Sequence, residues 1–552
     1  MARQSAAVSD KFLLQHKGSR FAAELGSNGC VVNGDNADFT PNWDGFDETL
    51  ADVAFAFYRL SYDPLDTPLD LTVEWDGAIP TDGECWIGLS DWTGDRWSWN
   101  ALPSGGVLPI ADPTKFADGS QHAFVAVLMI GTRALSLSSI GFGELPVFPA
   151  NEGYTLFAPM NTKDTYLLDM AGSIVHTWTA NYTPGAAAEL LPNGHLLRLA
   201  NLGNATFSNG GGRGGRLTEF DWDGNVVWTY DLSNSTQVTH HDFCVLPNGN
   251  VLLIVWNVVS DADMIQAGRD PANIDPGKFW VDTVIEVEPT LPYGGNIVWE
   301  WDVMDHLVQD FDATKDNFGD PQANHQLMDA NYPPKVAGDW THFNCITYNA
   351  ALDQVMLTTP FFNEIWIIDH STTTIEAGGH LGGQYGRGGD LLYRWGNPLV
   401  YRQGTAADQQ LFFCHDGHWI PDGLDGAGDV LVFNNRAGSP ESEVYSAVDQ
   451  LSLPLNPDGS YFLTAGVYGP TAPVERYTST PKEDFYSAIM SSGQRLPGGG
   501  LLICAGASGY LFETDADGNV LWEYENPFPT LNSPVFQALR YGYDYPGVED
   551  LL

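Results

Sequence analysis

At 552 residues the chain is too long for one ordinary hydrophobic core, so it divides into domains or runs as one large repeat array. Its 70 acids against 24 bases leave a formal net charge of -46, although charged residues make up only 17% of the whole. A surface so poor in Lys and Arg repels phosphate backbones and anionic membranes, which argues against nucleic acid as a partner, and no stretch approaches the roughly 18 uninterrupted apolar residues of a membrane-spanning helix.

In chain order, the opening "MARQSAAVSDKFLLQHKGSR" lacks the apolar core of a secretory leader, so a cytoplasmic location is left open. From there to about residue 148, "ADVAFAFYRL", "LDLTVEWDG", "HAFVAVLMIG" and "ALSLSSIGFGEL" read as strands of a separate β-sandwich. "CWIGLSDWTGDRWSWN" (85–100) has the look of a lectin-like strand pair, but without C-type lectin cysteines it reads more simply as an aromatic core. The six cysteines, Cys30, Cys85, Cys244, Cys345, Cys414 and Cys504, are widely spread and read as buried thiols rather than as disulfides or a CxxC metal pair.

From about residue 149 one pattern recurs. "AAAELLPNGHLLRLA" (186–200), "HDFCVLPNGNVLLIVW" (241–256) and "SSGQRLPGGGLLICA" (491–505) each read strand, tight turn, strand, and the segments starting at 342 and 415 fit with longer turns. Aromatic hairpins such as "LTEFDWDGNVVWTY" (217–230) and "YLFETDADGNVLWEY" (510–524) alternate with them. Each pair of hairpins makes a four-stranded antiparallel unit, repeated as in a β-propeller. Five units are complete, and the sixth combines "SPVFQALRY" (533–541) with the strands of 153–178. The expected fold is therefore all-β: a sandwich over 1–148, then a six-bladed propeller over 149–552 closed by the C-terminal strand. A long insertion (305–334), carrying His306 and His325, could lie over its mouth. "DWDGN", "NPDGS" and "DADGN" resemble partial calcium loops but sit where hairpin turns are needed.

Aligning the inner strands on the turn proline places Ala186, His241, His342, His415 and Ser491 at one register. Three successive units thus carry a histidine where side chains converge on a central funnel, although the turn motif itself does not call for histidine. His240, Asn344 and His418 lie beside this register, as does Ser492. On a regular strand His418, three residues after His415, faces the other way unless a bulge turns it inward.

"HHDFCVLPNGNVLL", "DWTHFNCITYN", "NEIWIIDHSTTT", "GRGGDLLYRWGNP" and "SSGQRLPGGGLLICAGASGYLFETDADGNVLWEYENP" resemble the arylsulfotransferase family over about residues 150–545. That resemblance implies a bacterial six-bladed, nucleotide-independent aryl-sulfate sulfotransferase, periplasmic or secreted, that moves a sulfuryl group from an aromatic sulfate to a phenol without a cofactor. It implies a covalent sulfo-histidine on His415, helper histidines at His241 and His342, and a polar contact at Asn344. A neutral imidazole is a competent nucleophile, and a second can act as general acid. The family arginine that holds the sulfate is missing: Thr359, Pro360 and Phe361 stand where it is expected, and Cys414 replaces the glutamine before the nucleophile. Arg394 or Arg387 are the candidate replacements, and His240, His418, Ser491 and Ser492 join Asn344 in the substrate-contacting set. Two other readings stay open. His241, His342 and His415 could hold a divalent metal for hydrolysis or elimination, or the repeat array could be a non-catalytic binding scaffold. Oligomeric state is left open by the sequence.

Overall fold

The structure, a computed structural model, describes the strands and a few flanking positions within residues 23–144, and residues 151–277, 279–334, 338–438, 445–530 and 533–549. The opening stretch and the linker near residue 148 lie outside the described residues. The protein is all-β, with only short helices such as Asp261–Gln266 and Thr374–Ala377, and it forms two compact units, Met1–Phe148 and Pro149–Leu552. Among the described residues no helix is long and apolar enough to cross a membrane.

The first unit holds two five-stranded sheets. One is centred on His122–Ile130, flanked by Val53–Ser61 and Cys85–Asp91; the other is centred on Leu135–Glu144, flanked by Asn36–Phe39 and Leu69–Trp75. Alternating residues of both, such as Ala54, Ala56, Ile87 and Val127 on one and Leu71, Val73 and Leu137 on the other, share one buried core.

In the second unit the strand-turn-strand segments build four-stranded antiparallel sheets. Val535–Gly542 pairs with Gly153–Pro159, which continues to Asp164–Leu168 and Ile174–Thr179. Pro184–Leu190, Gln237–Val245, Cys345–Asn349, His415–Trp419 and Ser492–Arg495 each begin a further run of four strands. The first two of these runs join through one parallel pairing, Ala186 with His241. The six leading strands are neighbours in that order, and the last lies against Val535–Gly542 again.

The leading strands are irregular where the aligned residues fall. Register breaks between Pro184 and Ala188, Thr239 and Phe243, and His415 and His418. Ala186, His241, His342 and Ser491 all have positive φ (116°, 54°, 52° and 90°), whereas in the fifth run positive φ falls on Asp416 (55°), beside His415. Non-glycine residues in this region each cost of order 1–3 kcal/mol and persist where the surroundings over-determine them. The structure corrects the expectation for two of the aligned residues: His342 and Ser491 precede their strands, Cys345–Asn349 and Ser492–Arg495, instead of lying in them.

The insertion folds on itself through a short parallel pairing of Leu307–Val308 with Met328–Asp329. In the turn motifs Asp221 Oδ1 accepts from the Asn225 amide at 2.7 Å and Asp515 Oδ1 from the Asn519 amide at 2.7 Å. Those carboxylates are occupied closing turns.

Candidate active site: a histidine cluster set by two carboxylates and an asparagine

The bulged strand starts bring His240, His241, His342 and His415 together. The His241 ring meets the His342 ring edge to face at 4.7 Å, and His342 stacks on Phe361 at 4.7 Å. Phe361 in turn neighbours Phe413, and Phe413 neighbours His415 (6.0 and 5.8 Å between centroids). Gly212 approaches so closely that a Cβ there would stand 2.3 Å from the His241 ring.

Each imidazole has a different partner. His415 is buried, and its Nδ1 lies 2.7 Å from Asn435 Oδ1. The Asn435 amide nitrogen donates to the carbonyls of Ser487 and Met490, both at 2.8 Å, which fixes the oxygen toward the histidine. His415 Nδ1 must therefore carry the hydrogen, and Nε2 keeps its lone pair. The Met490 amide donates to Nε2 at a long 3.2 Å. Burial, with the charges of His342 and Arg436, brings the His415 pKa down to about 3 against the raising effect of Asn435.

His240 is buried, stacked on Trp256 at 3.8 Å, with Nε2 2.7 Å from Asp282 Oδ1 in a charge contact that falls outside hydrogen-bond geometry. Its Nδ1 lies 2.8 Å from Nδ1 of His241. Because the carboxylate only accepts, the proton order runs from His241 through His240 to Asp282, leaving His241 Nε2 as a lone pair. Burial and the neighbouring histidines hold the His241 pKa well below its usual value.

His342 is the opposite case. Its Nδ1 is hydrogen-bonded to Asp339. Burial pulls its pKa down, but Asp339 and the charge of Asp282 together raise it above 6.5. Asp282 is itself fully buried, bonded to Thr341 and accepting from the Phe343 amide at 3.1 Å. The cluster thus contains three imidazoles whose pKa is lowered, His240, His241 and His415, and one, His342, whose pKa is raised, which suits acid-base chemistry around a nucleophile.

The other expected site residues go elsewhere. Asn344 is buried, donating to the Cys414 carbonyl at 2.9 Å, and its Oδ1 has no protein partner. Arg394 is not a substrate contact: fully buried, it pairs with Glu364 (NH2 to Oε2, 2.5 Å) and donates to the carbonyls of His325 and Leu327, pinning the insertion. Ser491 Oγ bonds Ser487 Oγ at 2.8 Å, and Ser492 Oγ accepts from the Ala538 amide at 3.3 Å, so both serve neighbouring backbone. The bulge after His415 gives His418 a pairing partner, Leu431, two residues from that of His415, so both histidines share one face of the strand. His418 nevertheless lines a separate cavity of about 300 Å³ with Asp242, Asp416, Glu189 and Ser492. Burial pushes Asp242 and Glu189 up to about 7 there. Thr359 Oγ1 donates to the Thr341 carbonyl at 2.7 Å, and Cys414 is buried, so neither replaces the expected polar group.

Sequence reasoning missed Asp282, Asp339, Asn435 and Arg436. Arg436 is exposed, follows Asn435, and lies over the Phe413 ring at 4.2 Å. Among the described residues its guanidinium has no carboxylate partner.

The strand starts of this all-β scaffold thus gather histidines whose pKa values are pushed in opposite directions. The particular family follows from the sequence: residues 149–527 match the arylsulfotransferase (ASST) family, and the chain belongs to it. No curated protein matches the chain. Similar solved structures include a protein of unknown function from Bacteroides caccae (13% identity, 70% of this chain and 98% of that one, TM-score 0.37). Others are apo AztD from Citrobacter koseri (7%, 70% and 98%, 0.32) and the β-propeller domain of Cps50 (Swd1) from Myceliophteria thermophila (10%, 68% and 87%, 0.30). These likenesses are too distant to carry function.

Proposed function

We propose that the protein is a nucleotide-independent aryl-sulfate sulfotransferase working through a sulfo-histidine on His415, on a six-bladed propeller over 149–552 closed by its C-terminal strand, with residues 1–148 as a β-sandwich accessory domain. The observation that carries this reading is the Asn435 hydrogen bond, which leaves His415 Nε2 as an unprotonated lone pair across the cluster from His342, whose pKa Asp339 raises. In the first half-reaction Nε2 attacks the sulfur of the aryl sulfate. The N–S bond forms, the S–O bond to the phenol breaks, and the phenolate takes the His342 proton. In the second, an acceptor phenol returns a proton to His342 while its oxygen attacks sulfur, and the N–S electron pair goes back to Nε2. No cofactor is needed for this balance.

The sulfuryl oxygens stay anionic throughout and need fixed donors. With Phe361 stacked on His342 where the family arginine is expected, Arg436 takes that part. It is the cation beside His415 that has no carboxylate partner among the described residues, and its place on Phe413 leaves the planar donor fork free for sulfate.

The test is mass spectrometry after brief exposure to 4-nitrophenyl sulfate without acceptor, under alkaline work-up. A sulfuryl adduct on His415, absent from His415→Ala, is the expected result. Release of nitrophenol with no protein adduct would reject the covalent route, and no release at all would reject sulfuryl transfer.

A further inference from the structure

Outside the central cluster, one group of side chains sets the lone pair of a neutral histidine against a carboxylate oxygen. His306, His380 and Asp390 place one ligand atom each within 4.8 Å of the others, and they are the His, Cys, Asp and Glu residues that do so as a group of three among the described residues. His306 Nδ1 is 2.9 Å and His380 Nδ1 2.7 Å from the same oxygen, Asp390 Oδ1.

The tautomer of His306 decides what this means. Its Nε2 lies 2.8 Å from the Ala377 carbonyl, which can only accept, so Nε2 carries the hydrogen. In neutral His306 the Nδ1 lone pair then faces a carboxylate oxygen at hydrogen-bond distance. Two acceptors in contact in a buried place repel, so something positive belongs between them: a second proton on the ring or a metal ion. The surroundings favour the metal. A ligating histidine characteristically donates its other ring hydrogen to a backbone carbonyl, which orients the lone pair. The ring is further held by Trp301, parallel to it at 5.4 Å between centroids. His380 is mostly exposed, its side chain at 58%, so solvent has access to a fourth position.

We propose that His306 Nδ1, His380 Nδ1 and Asp390 Oδ1 form a Zn²⁺ site, with water as the fourth ligand. Two imidazoles and one carboxylate are a donor set this ion takes in tetrahedral geometry. The site also has a structural task. Residues 378–390 read "GGHLGGQYGRGGD", with Gly382, Gly383, Gly386 and Gly388 all at positive φ. Ordering so glycine-rich a loop is entropically costly, and it buries little apolar surface in return. A metal joining His380 and Asp390 to His306, at the start of the insertion, closes the loop from both sides.

The experiment uses the full-length protein, stripped with a chelator, dialysed and titrated with Zn²⁺ alone, with bound metal counted by mass spectrometry. The expected result is one equivalent bound, lost in His380→Ala and retained in His415→Ala. Zn²⁺ should also slow tryptic cleavage after Arg387, within the loop, by about tenfold or more, since cleavage requires local opening. His380 is exposed, so the alanine variant should fold, and a far-UV spectrum checks this. An absence of stoichiometric binding would overturn the proposal and leave His306 as an imidazolium paired with Asp390. An equivalent that survives His380→Ala but is lost in His415→Ala would overturn it too, by placing the metal at the central histidines.

Discussion

Replacing Asn435 by alanine is the sharpest test of how His415 is prepared. The substitution removes the 2.7 Å acceptor for His415 Nδ1–H and both 2.8 Å bonds to the Ser487 and Met490 carbonyls. At about 1 kcal/mol net for each bond, stability should fall by about 3 kcal/mol. The effect on catalysis is separate. Only the Phe413 carbonyl, at 3.3 Å, remains to hold the Nδ1 hydrogen, so the imidazole can take the other tautomer, whose Nε2 cannot attack. Losing about 1–1.5 kcal/mol of preference for the reactive form lowers the rate roughly 5–12-fold. Ser446→Ala is the control. Ser446 Oγ donates to the Asn435 carbonyl at 2.8 Å and accepts from the Ser487 amide at 2.9 Å, so its loss loosens the same loop without touching the Nδ1 acceptor. Burst-phase nitrophenol release from 4-nitrophenyl sulfate, measured beside chemical denaturation, separates the two effects. The argument fails if Asn435→Ala keeps its burst rate within about twofold of the parent, or if Ser446→Ala slows by the same factor.

The His342 pKa, raised by Asp339 and Asp282 against burial, predicts a pH profile. The proton needed for phenol departure is present at low pH and lost as pH rises through the raised value, while His415 stays a free base above about 3. Transfer should therefore hold across the acid side and fall on an alkaline limb above 6.5. The stability gained from His342 pairing is likewise present below 6.5 and lost as pH rises through the folded value. In Asp339→Asn burial acts with less opposition, so the limb should move to lower pH; an unmoved limb would remove His342 from the acid role. Arg436→Ala should raise KM for the aryl sulfate about tenfold, from one exposed charged contact, with KM for the phenol unchanged. Equal effects on both substrates would count against sulfate binding. Glu364→Ala should strand the buried Arg394 charge and cost about 3–5 kcal/mol in denaturation, while variant that does fold keeps its KM for sulfate. A raised KM would return Arg394 to the substrate.

The sheets were legible because the PNG and PGG turns mark where strands end, and a fixed offset from those turns found His241, His342 and His415. The offset tracks backbone shape: Ala186, His241, His342 and Ser491 share a positive φ that composition does not announce. The side-chain directions were illegible because bulges at these strand starts break the period-two alternation, which is why His418 could not be placed. Asp282 left a signal that went unused. A carboxylate inside the apolar run "FWVDTVIEV" has to be paired, and histidines were the available partners. Asp339 stands three residues before His342 in a motif already singled out, but that spacing means contact only once the turn is known. Arg394 misled because an arginine in an aromatic stretch can equally be one half of a buried pair, and only Glu364 on the neighbouring strand distinguishes the two.

His241, His342 and His415 cannot all be charged together, since a charge on His342 lowers the pKa of both His241 and His415. The arrangement of acceptors decides which of them keeps the proton. Asn435 offers His415 a neutral oxygen, enough to orient the ring but too weak to charge it. Asp282 reaches His241 only through His240. Asp339 bonds His342 directly, and that ring alone of the three has its pKa raised. Exchanging a carboxylate for an amide would move the proton without moving a ring, so in the proposed mechanism partner chemistry, more than position, sets which ring is acid and which is nucleophile. The same reasoning bears on an anionic donor entering a protein of net charge -46. Exposed charges are screened beyond about 8–10 Å at ordinary ionic strength, so the distant carboxylates matter less than the nearby positive charge, Arg436 at the edge of the cluster and His342 whenever it carries its proton.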